Sequence, residues 1–99
     1  MTEEMGEIRV RYPKEGEFLG VVEEKMGGAH FRVLCTDDKI RLCRIPGAKK
    51  RSLWIDLNMI VLVRPWEAQP DDRGDIIAKY RDQEINELKK RGLLGNISD

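Results

Sequence analysis

The stretch Arg41-Leu-Cys-Arg-Ile-Pro-Gly-Ala-Lys-Lys-Arg-Ser-Leu-Trp-Ile55 decides the fold that we predict for this chain. It begins as a strand and is interrupted at Pro46-Gly47, because proline donates no ladder hydrogen bond and glycine permits a sharp change of direction. Three consecutive bases, residues 49–51, follow the interruption, and Leu53-Trp-Ile55 leads towards another strand. The stretch therefore predicts a basic loop that separates two strands.

Strand-like runs lie on both sides of this loop. Each is rich in β-branched or aromatic residues and is bounded by turn residues, as at Gly27-Gly28 and at Pro70–Gly74. The most hydrophobic run, Met59–Arg64, is expected to be central and buried on both faces. The five predicted strands are Glu17–Met26, Ala29–Cys35, Lys39–Arg44, Met59–Arg64 and Asp75–Arg81.

The order of these elements predicts an all-β fold. Five short strands without βαβ alternation favour a small antiparallel barrel, and the break between strands three and four favours the oligonucleotide/oligosaccharide-binding (OB) fold over an SH3-like barrel. Gln83–Arg91 has acids early and bases late, which is typical of a helix, and we expect it to dock through Ile85, Leu88 and Leu93. We therefore predict a flexible arm over residues 1–13, a five-stranded antiparallel OB barrel over 14–81 and a short helix with a tail over 82–99.

Charge is unevenly distributed along a chain whose formal net charge is zero. Residues 39–66 hold seven basic side chains and a single acid, Asp56, so this segment carries +6 and the two flanks together carry −6. Positive potential concentrated on a short segment is typical of a surface that binds a polyanion. The seven bases are Lys39, Arg41, Arg44, Lys49, Lys50, Arg51 and Arg64.

Two tryptophans lie close to these bases in the sequence. Aromatic rings can stack on unpaired bases while lysine and arginine neutralise phosphates, so we predict RNA binding by the seven bases together with Trp54. Trp66 is a second aromatic in the same segment. For Trp54 a position that plugs the end of the barrel stays open, since its neighbours Leu53 and Ile55 are apolar.

No signature of catalysis occurs in the sequence. Its one histidine, His30, has neither a visible orienting carboxylate nor a nucleophile, and no catalytic or phosphate-loop motif is present. We interpret Cys35 and Cys43 as small buried residues in a reducing compartment rather than as a disulfide or half of a metal site. The longest aliphatic run, Met59–Val63, is too short to cross a bilayer. The prediction is a cytoplasmic, monomeric binding protein without enzymatic activity, cofactor, metal or membrane partner.

Several motifs, in this order, resemble the archaeal and eukaryotic translation initiation factor 1A family. The likeness runs from about Arg9 to Leu94, whereas Ala48 stands where many members have a base. The chain also lacks the long acidic C-terminal extension of eukaryotic members, which favours an archaeal form. The motifs are Arg9-Val-Arg-Tyr-Pro-Lys-Glu-Gly-Glu-Phe-Leu-Gly20, Arg41–Gly47, Lys49-Lys-Arg51, Leu53-Trp-Ile55, Val61-Leu-Val-Arg-Pro-Trp66 and Gly74-Asp-Ile-Ile-Ala-Lys-Tyr80.

The resemblance implies a function for the basic segment. Members of this family form an OB barrel that binds the A site of the small ribosomal subunit through rRNA and cooperates with other initiation factors. They support recruitment of the initiator tRNA and influence start-codon selection. By position, the resemblance assigns rRNA contacts to Arg41, Arg44, Lys49, Lys50, Arg51 and Arg64, with Trp54 as a neighbour.

Two other classes of function are compatible with parts of the sequence. A general single-stranded RNA chaperone of the cold-shock type uses the same fold, but it exposes a cluster of aromatic residues, and here Phe31 alone is available on the second strand. A protein–protein adaptor that binds a peptide in a barrel groove would leave the tribasic loop unexplained.

Overall fold

The computed structural model describes residues 9–50 and 52–97. It contains five strands, one α-helix and two 3₁₀ turns, at Gly47–Lys49 and Gly95–Ile97. The strands are β1 (Phe18–Gly27), β2 (His30–Cys35), β3 (Ile40–Arg44), β4 (Ile60–Pro65) and β5 (Arg73–Lys79), and the helix is α1 (Asp82–Lys90).

The strands close into a barrel in the order β1-β2-β3-β5-β4. The predicted five-stranded OB barrel with a short C-terminal helix is confirmed. One pairing differs from the prediction, because β3 and β5 are parallel while the other four neighbouring pairs are antiparallel. The long connection from β3 through the basic loop and β4 brings β5 back to the free edge of β3 in the same direction, which a chain of simple hairpins does not allow.

Glycine sets the strand geometry at two positions that bear on the site. Gly27 and Gly28 have φ values of 84° and 59°, which glycine adopts easily. Gly27 ends β1, and Gly28 with Ala29 forms the turn to β2, one residue later than the predicted Gly27-Gly28 turn. Gly74 lies on β5 opposite Pro65, and a Cβ there would approach Val63 Cγ1 to 2.8 Å. The absence of a side chain at residue 74 lets β5 pack closely on β4 at the point where both strands carry outward-facing charges.

The barrel has two layers of buried side chains. The interior holds an aliphatic and aromatic cluster that includes Val33, Val61 and Val63. A second cluster, which includes Ile60 and Leu62, lies between the outside of the barrel and α1. Strand β4 contributes to both clusters, so the prediction that this strand is buried on both faces is confirmed.

Helix α1 covers the outer cluster through Leu88, with Ile85 half-buried beside it. After the helix, Leu94 is buried in the same cluster, whereas Leu93 is 37% exposed. The predicted contact of Leu93 was therefore wrong. The backbone amide of Leu93 donates to Leu88 O at 3.0 Å, while Gly92 adopts a positive φ of 69°; this turn directs residue 94 inwards.

The segment before β1 runs along the barrel over the described residues 9–13. Val10 and Tyr12 pack on the outer cluster, and the Tyr80 hydroxyl donates to the carbonyl of Arg11. Burial raises the pKa of Tyr80 to about 12, so this hydroxyl stays a donor at neutral pH. The remainder of the predicted arm, residues 1–8, lies outside the described part of the chain, as do residues 98–99 of the predicted tail.

Cys35 and Cys43 are free thiols inside the barrel. Burial raises the pKa of Cys43 to about 12, and it raises that of Cys35 as well, so both behave as small apolar residues. Within the described residues, no helix has the length and apolarity needed to cross a membrane.

Candidate nucleic-acid interface

A row of outward-facing side chains crosses four strands at one side of the barrel. The pairing registers place His30 opposite Arg44, Arg44 opposite Asp75, and Asp75 opposite Arg64. The side chains of Arg44 and Arg64 are 51% and 59% exposed. Two predicted RNA-binding residues from strands far apart in the sequence are therefore brought onto one surface.

Trp66 packs beside this row, just beyond the end of β4. Two arginines contact its ring, with Arg44 Cζ at 4.9 Å and Arg73 Cζ at 5.8 Å from the ring centre. The indole Nε1 donates to Asp75 Oδ1 at 2.9 Å, and Arg44 Nε donates to the same oxygen at 3.2 Å. Cation–π contacts and the hydrogen bond to Asp75 thus fix the position of this ring, and Asp75 also holds Arg44 against it.

We call this surface the arginine face and define it as Arg32, Arg44, Arg64, Arg73 and Trp66. It contains a shallow depression of about 370 Å³, bordered by Arg44, Arg64, Pro65, Trp66, Glu67 and Asp75. The face combines strand residues with the loop between β4 and β5, which is part of the surface that OB folds use for oligonucleotides.

Three of the four arginines of this face, Arg32, Arg44 and Arg64, have an acidic partner among the described residues. The N···O distances are 2.8 Å for Arg32–Glu24, 3.2 Å for Arg44–Asp75 and 3.4 Å for Arg64–Glu17. A backbone hydrogen bond from the Lys14 amide and the contact with Arg64 hold the pKa of Glu17 below its usual value, so this acid is ionised at neutral pH. The Arg32 and Arg44 pairs are open to solvent and contribute at most about 1 kcal/mol each, so they leave these arginines able to contact a phosphate. The Glu17 side chain is only 6% exposed, so its pair with Arg64 is not of this exposed kind.

The basic loop, which we define as residues 46–55, continues directly from Arg44 and β3. Pro46 precedes a 3₁₀ turn over Gly47–Lys49, and the Leu53 amide donates to Lys49 O at 2.9 Å. Within residues 9–50 and 52–97, neither Lys49 nor Lys50 has a carboxylate at ion-pair distance. The loop therefore offers ammonium groups that no described acid neutralises.

The one acid of residues 39–66 is directed away from these lysines. Asp56 accepts hydrogen bonds from the Leu57 amide at 2.8 Å and from Lys25 Nζ at 3.1 Å. The backbone bond first, and Lys25 second, lower the pKa of Asp56. Its charge is thus engaged by β1, and the positive potential of the basic loop persists.

Trp54 lies on the surface of the basic loop and is 65% exposed. Its neighbour Ile55 is 4% exposed and fills the barrel interior in its place. Lys79 Nζ donates to the carbonyl of Trp54 at 2.9 Å and lies 5.7 Å from the ring centre. Of the two positions that the sequence left open for Trp54, the structure shows the exposed one.

Arg41 occupies a different environment from the other predicted RNA-binding residues. It is 2% exposed and faces the inside of β3. Its Nη atoms donate to both oxygens of Asp37 at 3.0 and 2.8 Å, and its Nε donates to Pro70 O. The guanidinium also lies 4.8 Å from the centre of the Phe18 ring. All of its polar groups are engaged inside the protein, so we assign Arg41 to the scaffold.

Lys39 does not join the surface described above. Lys39 immediately precedes β3 and lies about 17 Å along the chain from Arg44, at about 3.3 Å per residue. Its amide donates to Asp37 Oδ1 at 3.3 Å in the turn between β2 and β3. Arg51 lies outside the described residues, so its part in the basic loop stays a prediction.

The whole described chain matches a known family. A family model described as Translation initiation factor 1A / IF-1 matches residues 7–97. The chain belongs to this family. It has therefore a role in translation initiation, and the resemblance seen in its motifs is confirmed.

Relatives named translation initiation factor 1A occur in several archaea. The protein of Methanothermobacter thermautotrophicus is 46% identical over 86 residues, which cover 87% of both chains. That of Pyrococcus abyssi is 42% identical over 88% of this chain and 77% of its own. That of Methanopyrus kandleri is 43% identical over 87% of this chain and 77% of its own. These similarities support an archaeal type of factor.

Sequence reasoning missed two arginines of the initiation factor's arginine face. Arg32 and Arg73 lie outside the basic segment of residues 39–66, and Asp71 and Asp72 directly precede Arg73. The register of β2, β3 and β5 brings them beside Arg44 and Trp66: Arg32 is opposite Leu42, which is opposite Arg73. The outward positions of predicted strands were the signal that could have found Arg32.

Within residues 9–50 and 52–97, no group of three or more histidine, cysteine or acidic side chains is arranged to hold a metal ion.

Proposed function

We propose that this initiation factor binds the small ribosomal subunit near its A site through contacts with rRNA. In that position it supports recruitment of the initiator tRNA and selection of the start codon, in cooperation with other initiation factors. It acts in the cytoplasm as a monomer, by binding and without catalysis. The basic loop and the arginine face together form the proposed contact surface.

The observation that carries this proposal is a pair of lysines on the basic loop that have no ion-pair partner among the described residues and lie beside an exposed tryptophan. Lys49 and Lys50 attract phosphates without having to release a described acidic partner. Trp54 presents an aromatic surface on the same loop, and such a surface can stack on an unpaired base. Affinity without strict sequence readout is the consequence of this combination.

The arginine face adds geometry to that attraction. Arginine binds phosphate through a planar fork of donors, and the positions of Arg44 and Arg64 are fixed by strand register and by acidic partners. A surface with fixed donors suits a folded RNA whose phosphates are also fixed. The factor would occupy the A site, so that a competing tRNA meets a protein surface there.

A cold-shock type of RNA chaperone is the alternative, and the structure gives it less support. Its single aromatic candidate, Phe31, is 6% exposed and belongs to the barrel interior. The exposed positions of β2 and β3 are occupied by His30, Arg32, Ile40 and Arg44. A stacking platform for several consecutive bases is therefore lacking on the described strands.

The proposal is tested by the binding of a labelled factor to purified archaeal small ribosomal subunits across a salt series. The wild type is compared with Lys49→Ala/Lys50→Ala, and unstructured single-stranded RNA serves as competitor. We expect the double variant to bind about tenfold or more weakly, since two phosphate contacts are lost. The slope of log K against log salt should become shallower by about 1.4 to 1.8.

Lys89→Ala/Lys90→Ala is the matched control, because it removes the same charge from exposed positions at the end of α1. This control should retain most of the subunit affinity. Equal losses in the two double variants would show that net charge alone determines binding, and would contradict the proposed surface. Wild-type affinity that is equal for the subunit and for any single strand would favour the chaperone.

A further inference from the structure

Asp75 lies at the centre of the arginine face and is the acid that contacts two of its members at once. Its Oδ1 accepts hydrogen bonds from Arg44 Nε at 3.2 Å and from Trp66 Nε1 at 2.9 Å. Strand register places it between Arg44 on β3 and Arg64 on β4. A carboxylate at this position has two opposite effects on a polyanion, one through geometry and the other through charge.

The geometric effect is to fix Arg44 in a usable orientation. Asp75 engages Nε alone, and in the described residues no hydrogen bond uses the Nη groups of Arg44. The Trp66 ring, 4.9 Å from Cζ, supports the guanidinium from one side. An arginine held in this way presents its remaining donors without having to be ordered first, and less side-chain entropy is lost when it binds.

The electrostatic effect is to lower the affinity for any phosphate that approaches Asp75 without accepting hydrogen bonds from the free donors of Arg44. One like charge about 4 Å from a phosphate in water lowers affinity about fivefold. A flexible single strand has no means of avoiding this repulsion except by losing contacts. A folded RNA whose phosphates match the fixed arginine donors gains hydrogen bonds that offset it.

We propose that Asp75 is a specificity-determining positioning residue of the RNA surface. It holds Arg44 on Trp66, and its charge discriminates against single-stranded RNA in favour of the structured rRNA of the small subunit. This inference rests on the proposed function. Under this inference the basic loop supplies affinity for any RNA, and Asp75 with Arg44 and Trp66 supplies selectivity.

The test compares Asp75→Asn and Asp75→Ala with the wild type, using oligouridylate and purified small ribosomal subunits as the two ligands. Asparagine keeps an oxygen that can accept from Arg44 and Trp66 but removes the charge. We expect Asp75→Asn to bind oligouridylate about fivefold more tightly and the subunit no more tightly than the wild type. Asp75→Ala should also bind the subunit more weakly, because Arg44 is no longer held.

A matched charge control is Asp71→Asn, which removes an exposed acid from the neighbouring loop. It should change the two affinities by a similar factor and leave their ratio near that of the wild type. If the ratio of subunit affinity to oligouridylate affinity falls as much in Asp71→Asn as in Asp75→Asn, the inference is overturned, since net charge would then explain the effect.

Fluorescence separates positioning from simple loss of folding. In a Trp54→Phe background, Trp66 is the single tryptophan. Quenching of its fluorescence by acrylamide then reports whether Asp75 and Arg44 still hold the ring in place. Quenching should increase in Asp75→Ala and stay near the wild-type value in Asp75→Asn. In Asp75→Glu it should lie between the values of the wild type and Asp75→Ala. Unchanged quenching in a folded Asp75→Ala variant would contradict the positioning role.

The failure of this inference is distinguishable from the failure of the proposed function. If Lys49→Ala/Lys50→Ala weakens subunit binding while Asp75→Asn leaves the selectivity ratio unchanged, the proposed function stands and the role of Asp75 is refuted. If the lysine variant has no effect on subunit binding, the proposed function itself fails.

Discussion

On β3, Arg41 and Arg44 are separated by only two residues, yet they face opposite sides of the strand. The Arg41 side chain is 2% exposed and is bound by Asp37 and Pro70, whereas the Arg44 side chain is 51% exposed and rests on Trp66. Both carry the same charge and both have an acidic partner. Burial and the number of engaged donors separate their roles: the first arginine organises the end of the barrel, and the second remains available to a ligand.

The comparison shows why a count of basic residues is a poor measure of a binding surface. A buried guanidinium must satisfy its donors inside the protein, because an unpaired buried charge is costly. Burial alone would lower the pKa of Arg41, but the hydrogen bonds to Asp37 raise it and keep the group charged. Once those bonds are made, little of the charge is left for RNA.

The largest effect that we expect is the loss of stability in Arg41→Met. The substitution keeps most of the apolar stem but leaves Asp37 without its partner and the Pro70 carbonyl without its donor. Removing one member of a buried pair costs about 3 kcal/mol. Urea denaturation at pH 7 measures the change, and a loss below about 0.5 kcal/mol would show that the pair does not stabilise the fold.

The variant Asp37→Asn tests the same ion pair through the pH dependence of stability. Burial by itself would raise the pKa of Asp37, but the hydrogen bonds from Arg41 and the Lys39 amide together lower it by more. The folded pKa therefore lies below the ordinary 3.8. The stabilisation by the ionised carboxylate is therefore present above about pH 4 and is lost as pH falls through the folded pKa.

At pH 7 we expect Asp37→Asn to lose about 2 kcal/mol of unfolding free energy relative to the wild type. Urea denaturation at pH 7, 5, 4 and 3 should show this difference shrinking below about pH 4. A difference that stays constant over the whole range would mean that the charge of Asp37 is not the source of the stabilisation.

Trp54→Ala tests whether the exposed tryptophan belongs to the binding surface. Because the ring is 65% exposed, its removal should change the unfolding free energy by less than about 0.5 kcal/mol. If the ring stacks on a base, subunit affinity should fall by at least about 1 kcal/mol. Trp54→Phe, which retains an aromatic ring, is the control; equal affinity of all three proteins would exclude stacking.

The smallest effect is expected for the stability of Arg44→Met. Its ion pair with Asp75 is exposed and contributes about 0.5 kcal/mol or less. The same urea titration that detects Arg41→Met should find this variant close to the wild type. A loss as large as that of Arg41→Met would remove the distinction between the two arginines.

Much of the fold could be predicted from local sequence. Strand-like runs and turn residues predict the five strands, and the interruption at Pro46-Gly47 marks the end of β3. The parallel pairing of β3 with β5 could not be predicted in this way. It depends on how the barrel closes, which joins residues that are about thirty positions apart.

The site was predicted less completely for the same reason. The count of basic residues includes Arg41, because nothing in the sequence shows that Asp37 and Pro70 enclose it. It also could not show that Arg73 and Asp75 lie beside Trp66, since those contacts arise from the β3–β5 register. The basic loop was easier to recognise because its lysines are consecutive and local acids are absent.

The central claim is that the outer side of β3, and not its inner side, contacts rRNA. The most direct test is the salt dependence of small-subunit binding by Arg44→Met and Arg41→Met, each measured at a temperature where the variant is folded. We predict that Arg44→Met reduces the slope of log K against log salt by about 0.7 to 0.9, the value for one phosphate contact, and that Arg41→Met leaves it unchanged. A reduced slope for Arg41→Met with an unchanged slope for Arg44→Met would contradict the account.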